Sequence, residues 1–181
     1  MTAPRKRRQA SKPAAAALAE FMRRAYAMEL EAAERYADFA AQMEMHNNRE
    51  VAELFRSLAQ IEHRHATSIR KQMGWKSAPQ VLTAVRWLGR EGPESGAPGE
   101  LHYLMQPYHA LEIALANEQR AARFFAAFAR RSGPAAIRAA AAAMAREERA
   151  HARLVRQWLA RVPRPDPGWD RDPDPPNYNG E

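Results

Sequence analysis

Apolar side chains in the first part of the chain recur at Leu18, Met22, Ala25, Ala32, Tyr36, Phe39 and Met43, and Glu29 fills the single break, so every step is a three or a four. That spacing lines one face of an α-helix and no face of a strand. Three more stripes share it. They run Phe55, Leu58, Glu62, His65, Ile69; then Leu111, Leu115, Glu118, Ala122, Phe125; then Ile137, Ala141, Met144, Glu148, His151, Val155, Trp158. Four helices with one apolar face each can bury those faces only against one another, which predicts an all-α bundle.

The breaks between helices are equally legible. Residues 14–78, 108–133 and 135–162 contain no proline, and alanine, the best helix former, fills 39 of the 181 positions. The expected helices are 14–45, 49–74, 104–131 and 134–160. His46-Asn47-Asn48 and Ser132-Gly133-Pro134 are short turns, and short turns make antiparallel neighbours. The connection 75–103 is long, with a short amphipathic helix expected over Val81 to Leu88 ahead of the Gly- and Pro-rich stretch 92–99. Two hairpins joined by one crossover give a single domain over 14–161. A basic arm, 1–13, precedes it and a Pro/Asp-rich extended tail, 162–181, follows.

Each stripe is interrupted by polar residues at mid-helix and nowhere else. The first and third helices contribute one glutamate apiece, Glu29 and Glu118, while the second and fourth contribute Glu62/His65 and Glu148/His151 as Glu-x-x-His pairs. An i, i+3 spacing puts both members of such a pair on one face. The halves also repeat: Glu29 and Tyr36 match Glu118 and Phe125 at an offset of 89, and Glu62/His65 match Glu148/His151 at an offset of 86. Four ionised carboxylates cannot share an apolar interior unneutralised, because burying even one costs several kcal/mol. Two cations would neutralise them, and carboxylate oxygen mixed with imidazole nitrogen suits iron or manganese. Met22, Met43 and Met144 read as core filling, His63 as off the seam, and His46, His102 and His109 as surface or capping residues.

Composition and charge remove other possibilities. With no cysteine, the chain has no disulfide, thiolate zinc site, cysteine nucleophile or cysteine-ligated iron–sulfur cluster. The formal net charge of +7 is uneven: residues 1–12 hold five Lys and Arg and no acid, whereas 163–181 carry two Arg against five acids. The arm reads as solubilising, with nucleic acid as a minor alternative partner. No apolar run approaches the ~18 residues of a membrane helix, and Pro13 to Ala19 is too short for a secretory segment. A soluble cytoplasmic protein is expected, with no membrane partner.

These residues resemble the rubrerythrin and bacterioferritin branch of the ferritin-like superfamily, over about 14–160, through Glu29, Glu62-His-Arg-His65, Glu118 and Glu147-Glu-Arg-Ala-His151. The resemblance implies a ferritin-like antiparallel four-helix bundle holding two iron ions, with manganese or a mixed pair as the alternative. It makes Glu29 and Glu118 single-helix ligands, Glu62 and Glu148 bridging carboxylates, and His65 and His151 terminal nitrogen ligands. Tyr36 resembles the tyrosine that such proteins hold beside the metals. Three departures stand out. Without cysteine there is no rubredoxin module, so any electron donor is a separate molecule; Glu112 is off the seam, so no extra carboxylate is placed on the third helix; and Phe125 stands where symmetry calls for a second tyrosine. The implied activity is an oxidoreductase reaction of ferrous iron with hydrogen peroxide or dioxygen, of peroxidase or ferroxidase type and linked to oxidative stress. Iron storage and oxygenation of an organic substrate are the alternatives. A homodimer or higher homo-oligomer is the expected assembly.

Overall fold

The computed structural model describes residues 12–80, 101–131 and 133–172, which form four helices: α1 (Lys12–Met45), α2 (Arg49–Gln72), α3 (Pro107–Arg130) and α4 (Ala135–Leu159). The all-α expectation holds, and no strand occurs among the described residues. α1 begins two residues early, taking Pro13 into its first turn, where the missing N–H removes no helical bond. α3 begins at Pro107 for the same reason, three residues later than expected. The short helix expected over Val81 to Leu88 lies outside the described residues.

The turn after α1 shows how local chemistry sets the hairpin. Asn47 adopts φ 58°, and the Asn48 and Asn47 amides bond back to the Met43 and Glu44 carbonyls at 2.9 and 3.0 Å. These two bonds close a helix end around a left-handed residue, a conformation asparagine tolerates. Asn48 then opens the next helix, its side-chain oxygen accepting from the Val51 amide. α2 ends in the same motif, with Gly74 at φ 67° and the Trp75 and Gly74 amides on the Arg70 and Lys71 carbonyls, so it stops two residues short of the expected 74.

The two hairpins, α1 with α2 and α3 with α4, are the intimate pairs; α2 also meets α3, and α1 meets α4. α1 and α3 therefore stand diagonally opposite, as do α2 and α4. The buried side chains form two clusters. One, at the α1–α2 turn, includes Tyr36, Phe39, Phe55, Leu58, Leu111 and Val155. The other, at the α3–α4 turn, includes Phe21, Met22, Tyr26, Ile69, Phe125 and Met144. The turns of the two hairpins thus lie at opposite ends, which makes α2 parallel to α3 and explains why a long connection must run the length of the bundle between them.

The tail departs from expectation. Sequence places 162–181 outside the core, yet Val162 and Trp169 pack against the cluster at the α1–α2 turn. Trp169 stands between His102 and His109, at ring distances of 5.4 and 3.7 Å. The Tyr103 hydroxyl donates to Asp172, and Arg164 donates to the Tyr108 hydroxyl at 3.3 Å while lying over its ring. His102 and His109 do cap, each accepting a backbone N–H at Nδ1, from Leu104 and Gln106. Prolines and aspartates forbid a helix here, but one indole carries enough apolar area to hold an irregular segment down. Replacing Trp169 by alanine is expected to destabilise the protein by about 1–3 kcal/mol and to lower Tm with metal stoichiometry unchanged. An unaltered denaturation midpoint would show that the tail is not docked in solution.

Candidate metal centre

A polar layer separates the two apolar clusters. α1 and α3 place Glu29 and Glu118 in it; α2 and α4 place Glu62 with His65 and Glu148 with His151, one helical turn apart. The four carboxylates are only 1–5% exposed, so they sit in the core and not on its rim. Each hairpin builds one triad, Glu29/Glu62/His65 and Glu118/Glu148/His151, and in each the three donor atoms lie within 4.8 Å of one another. His65 Nδ1 is 2.9 Å from Glu62 Oε2 and 3.4 Å from Glu29 Oε2; His151 Nδ1 is 3.3 Å from Glu148 Oε2 and 3.5 Å from Glu118 Oε2. The imidazoles meet across the bundle diagonal, stacked at 4.0 Å and within 6° of parallel. All six side chains singled out by the sequence are brought to one place.

The electrostatics of this layer are demanding. Burial pushes the Glu29 carboxyl up to about 8, and the charges of Glu148 and Glu62 push the same way. Burial likewise carries Glu118 to about 8, with Glu62 and Glu148 adding to it. Burial alone would lower the imidazoles, but their carboxylate partners outweigh it, so His65 rises to about 10 and His151 to about 9. The layer thus retains protons as a substitute for other positive charge.

One buried atom stays unsatisfied. Glu29 Oε2 has no hydrogen-bond partner; His65 Nδ1 is within ion-pair distance but outside hydrogen-bond geometry. A buried orphan oxygen costs about 1–3 kcal/mol, which a cation at that point would recover. Four carboxylates and two imidazoles are also the donor set of a two-metal carboxylate bundle, so the residues fit a pair of cations.

Tyr36 lies in the neighbouring apolar cluster, stacked on Phe55 at 6.0 Å. Its hydroxyl oxygen accepts from Asn117 Nδ2 at 2.9 Å, across the diagonal from α1 to α3, and Asn117 in turn accepts from Arg120. Sequence reasoning missed Asn117. Its one signal was a polar residue directly before the seam glutamate of α3. At the 89-residue offset Tyr36 and Asn117 correspond to Phe125 and Met28, both buried in the opposite cluster. Glu31, Glu34, Asp38 and His63 are exposed, off the layer.

The rubrerythrin family model matches residues 20–84 and 109–166. An uncharacterised conserved protein of solved structure, from Magnetospirillum magnetotacticum MS-1, is similar at 34% identity and a TM-score of 0.59, over 81% of this chain and 95% of that one. No curated protein matches.

Two groups of shifts give the metal-free protein a definite pH response. A glutamate raised from 4.5 to about 8 favours folding less and less as pH climbs through that interval, because the unfolded chain ionises first. A histidine raised from 6.5 to about 9 or 10 contributes stability that is complete below 6.5 and lost through its folded value. Both slopes have one sign. After chelation, the urea midpoint is expected to fall from pH 4.5 to pH 10, whereas divalent-cation affinity rises over that range because the ligands must lose protons. A metal-free protein more stable at pH 9 than at pH 6 would contradict these shifts.

Proposed function

The chain belongs to the rubrerythrin family, and from that premise we propose that its polar layer is a di-iron redox centre with Glu29, Glu62, His65, Glu118, Glu148 and His151 as ligands. The observation that carries this reading is the pair of matched carboxylate–imidazole triads, buried between two apolar clusters and joined through their stacked rings. When bound, two ferrous ions would supply the two electrons that reduce hydrogen peroxide to water, or would react with dioxygen.

The residues have separable tasks. Glu62 and Glu148 would be the bridging carboxylates, as the family resemblance implies. Glu29 and Glu118 reach in from opposite corners to close the shell. His65 and His151, with side chains 20% and 24% exposed, are the least buried of the six and would be the ligands nearest to solvent for proton exchange. The apolar clusters on either side of the layer would limit water there, which would strengthen each charge interaction inside. Tyr36, aligned by Asn117, would steady the ligand shell and intercept stray oxidation. The carboxylates favour iron or manganese over softer metals.

Two experiments test the proposal. Glu62→Ala or Glu148→Ala is expected to lower bound iron below two per chain while helicity is kept, since removing a buried charge offsets part of the lost metal stabilisation. Loss of folding with metal content unaltered would contradict the ligand assignment. Anaerobic loading with ferrous iron, followed by stopped-flow mixing with peroxide, is expected to show oxidation that saturates at two irons per chain. Absence of that stoichiometry would remove the redox reading while leaving a metal-binding one.

A further inference from the structure

The two ends of the bundle carry opposite charge, and the metal layer lies between them. At the α3–α4 turn end, α1 brings Lys12, Arg23 and Arg24, and the end of α2 brings Arg70, Lys71 and Lys76. α3 closes on Arg123, Arg130 and Arg131, and α4 opens with Arg138. Across these four segments, 12–24, 70–80, 123–131 and 133–141, Glu20 is the single acid among ten Lys and Arg. Glu20 pairs with Arg23 and Arg24; the other eight cations make no ion pair among the described residues. At the opposite end, segments 37–57, 101–113 and 155–172 hold eight acids against six arginines.

We propose that the α3–α4 turn end is a binding face for the phosphate backbone of duplex nucleic acid. A face of one sign repels itself and concentrates a polyanion near it. Seven of its ten cations are arginine, whose planar fork pairs with phosphate oxygens two at a time. The charges are spread over four helix ends and do not converge, which suits an extended chain of phosphates better than one small anion. A bilayer contact needs large hydrophobics fully exposed to enter the lipid; among the described residues those are Met45 and Leu154, and neither lies at this end, where Met73, Trp75, Phe124, Phe128 and Ile137 are partly buried against the apolar cluster. At 1.5 Å per residue, Lys71 stands about 9 Å from His65 and Arg130 about 18 Å from Glu118 along their own helices.

The test is fluorescence anisotropy of a labelled duplex of about 20 base pairs with the full-length, metal-loaded protein, from about 50 to about 200 mM salt. Affinity is expected to fall about a thousandfold across that range, as several phosphate contacts predict. The variant K71Q/R123Q/R130Q should lower the log–log salt slope by about 2–3 units, while R49Q/R156Q/R161Q, at the other end, leaves it unchanged. Equal effects of the two variants would overturn the proposal. So would no duplex binding at the lowest salt, loss of the whole slope in R5Q/K6Q/R7Q/R8Q alone, or tighter binding to vesicles of phosphatidylserine and phosphatidylcholine than to the duplex.

Discussion

Four carboxylates buried in one layer of an otherwise apolar core are the constraint on which this structure depends. Each would cost several kcal/mol if ionised and alone, so the fold must deliver compensating positive charge to the same level from separate helices. It does so by placing an imidazole one turn beyond a glutamate on α2 and again on α4, where the rings meet at 4.0 Å. Register then follows. A shift of one residue in any helix would turn a carboxylate toward alanine or toward solvent, and the apolar clusters on either side hold the helices where the layer is complete.

The halves match in their ligands and differ in their surroundings. On one side of the layer, Tyr36 and Asn117 form a hydrogen bond across the bundle diagonal. On the other, the corresponding residues Phe125 and Met28 are apolar and sit in a cluster of rings that includes Phe21. A duplicated hairpin can therefore supply two equal triads and still give them unlike neighbours. Tuning of one cation against the other would have to come from these neighbours, since the donors themselves are the same.

Charge shows how a sum over the sequence can mislead. The formal +7 hides a basic end and a mildly acidic one separated by the length of the bundle. Only the antiparallel pairing of the hairpins places the ends of α2 and α3 beside the beginnings of α1 and α4, and so collects the cations. The tail is a similar case. Its prolines and aspartates define what it cannot become, but the docking of Trp169 between His102 and His109 depends on a surface that exists once α3 is folded.

Much of the molecule follows from the sequence alone. Three-and-four spacing fixes four helices and their inward faces, asparagine and glycine at the turns fix two hairpins, and the six polar interruptions of the seams mark the side chains that meet in one buried layer, because a 3.6-residue period converts position directly into direction. Tertiary structure decided what periodicity cannot express. It set which helices stand diagonally opposite, made Asn117 the partner of Tyr36 across 81 residues of chain, left Glu29 Oε2 without a hydrogen bond, and brought Trp169 down onto the bundle. Each of these is a distance between residues far apart in sequence, and such distances are settled by the packing of whole faces and not by the local preferences of the chain.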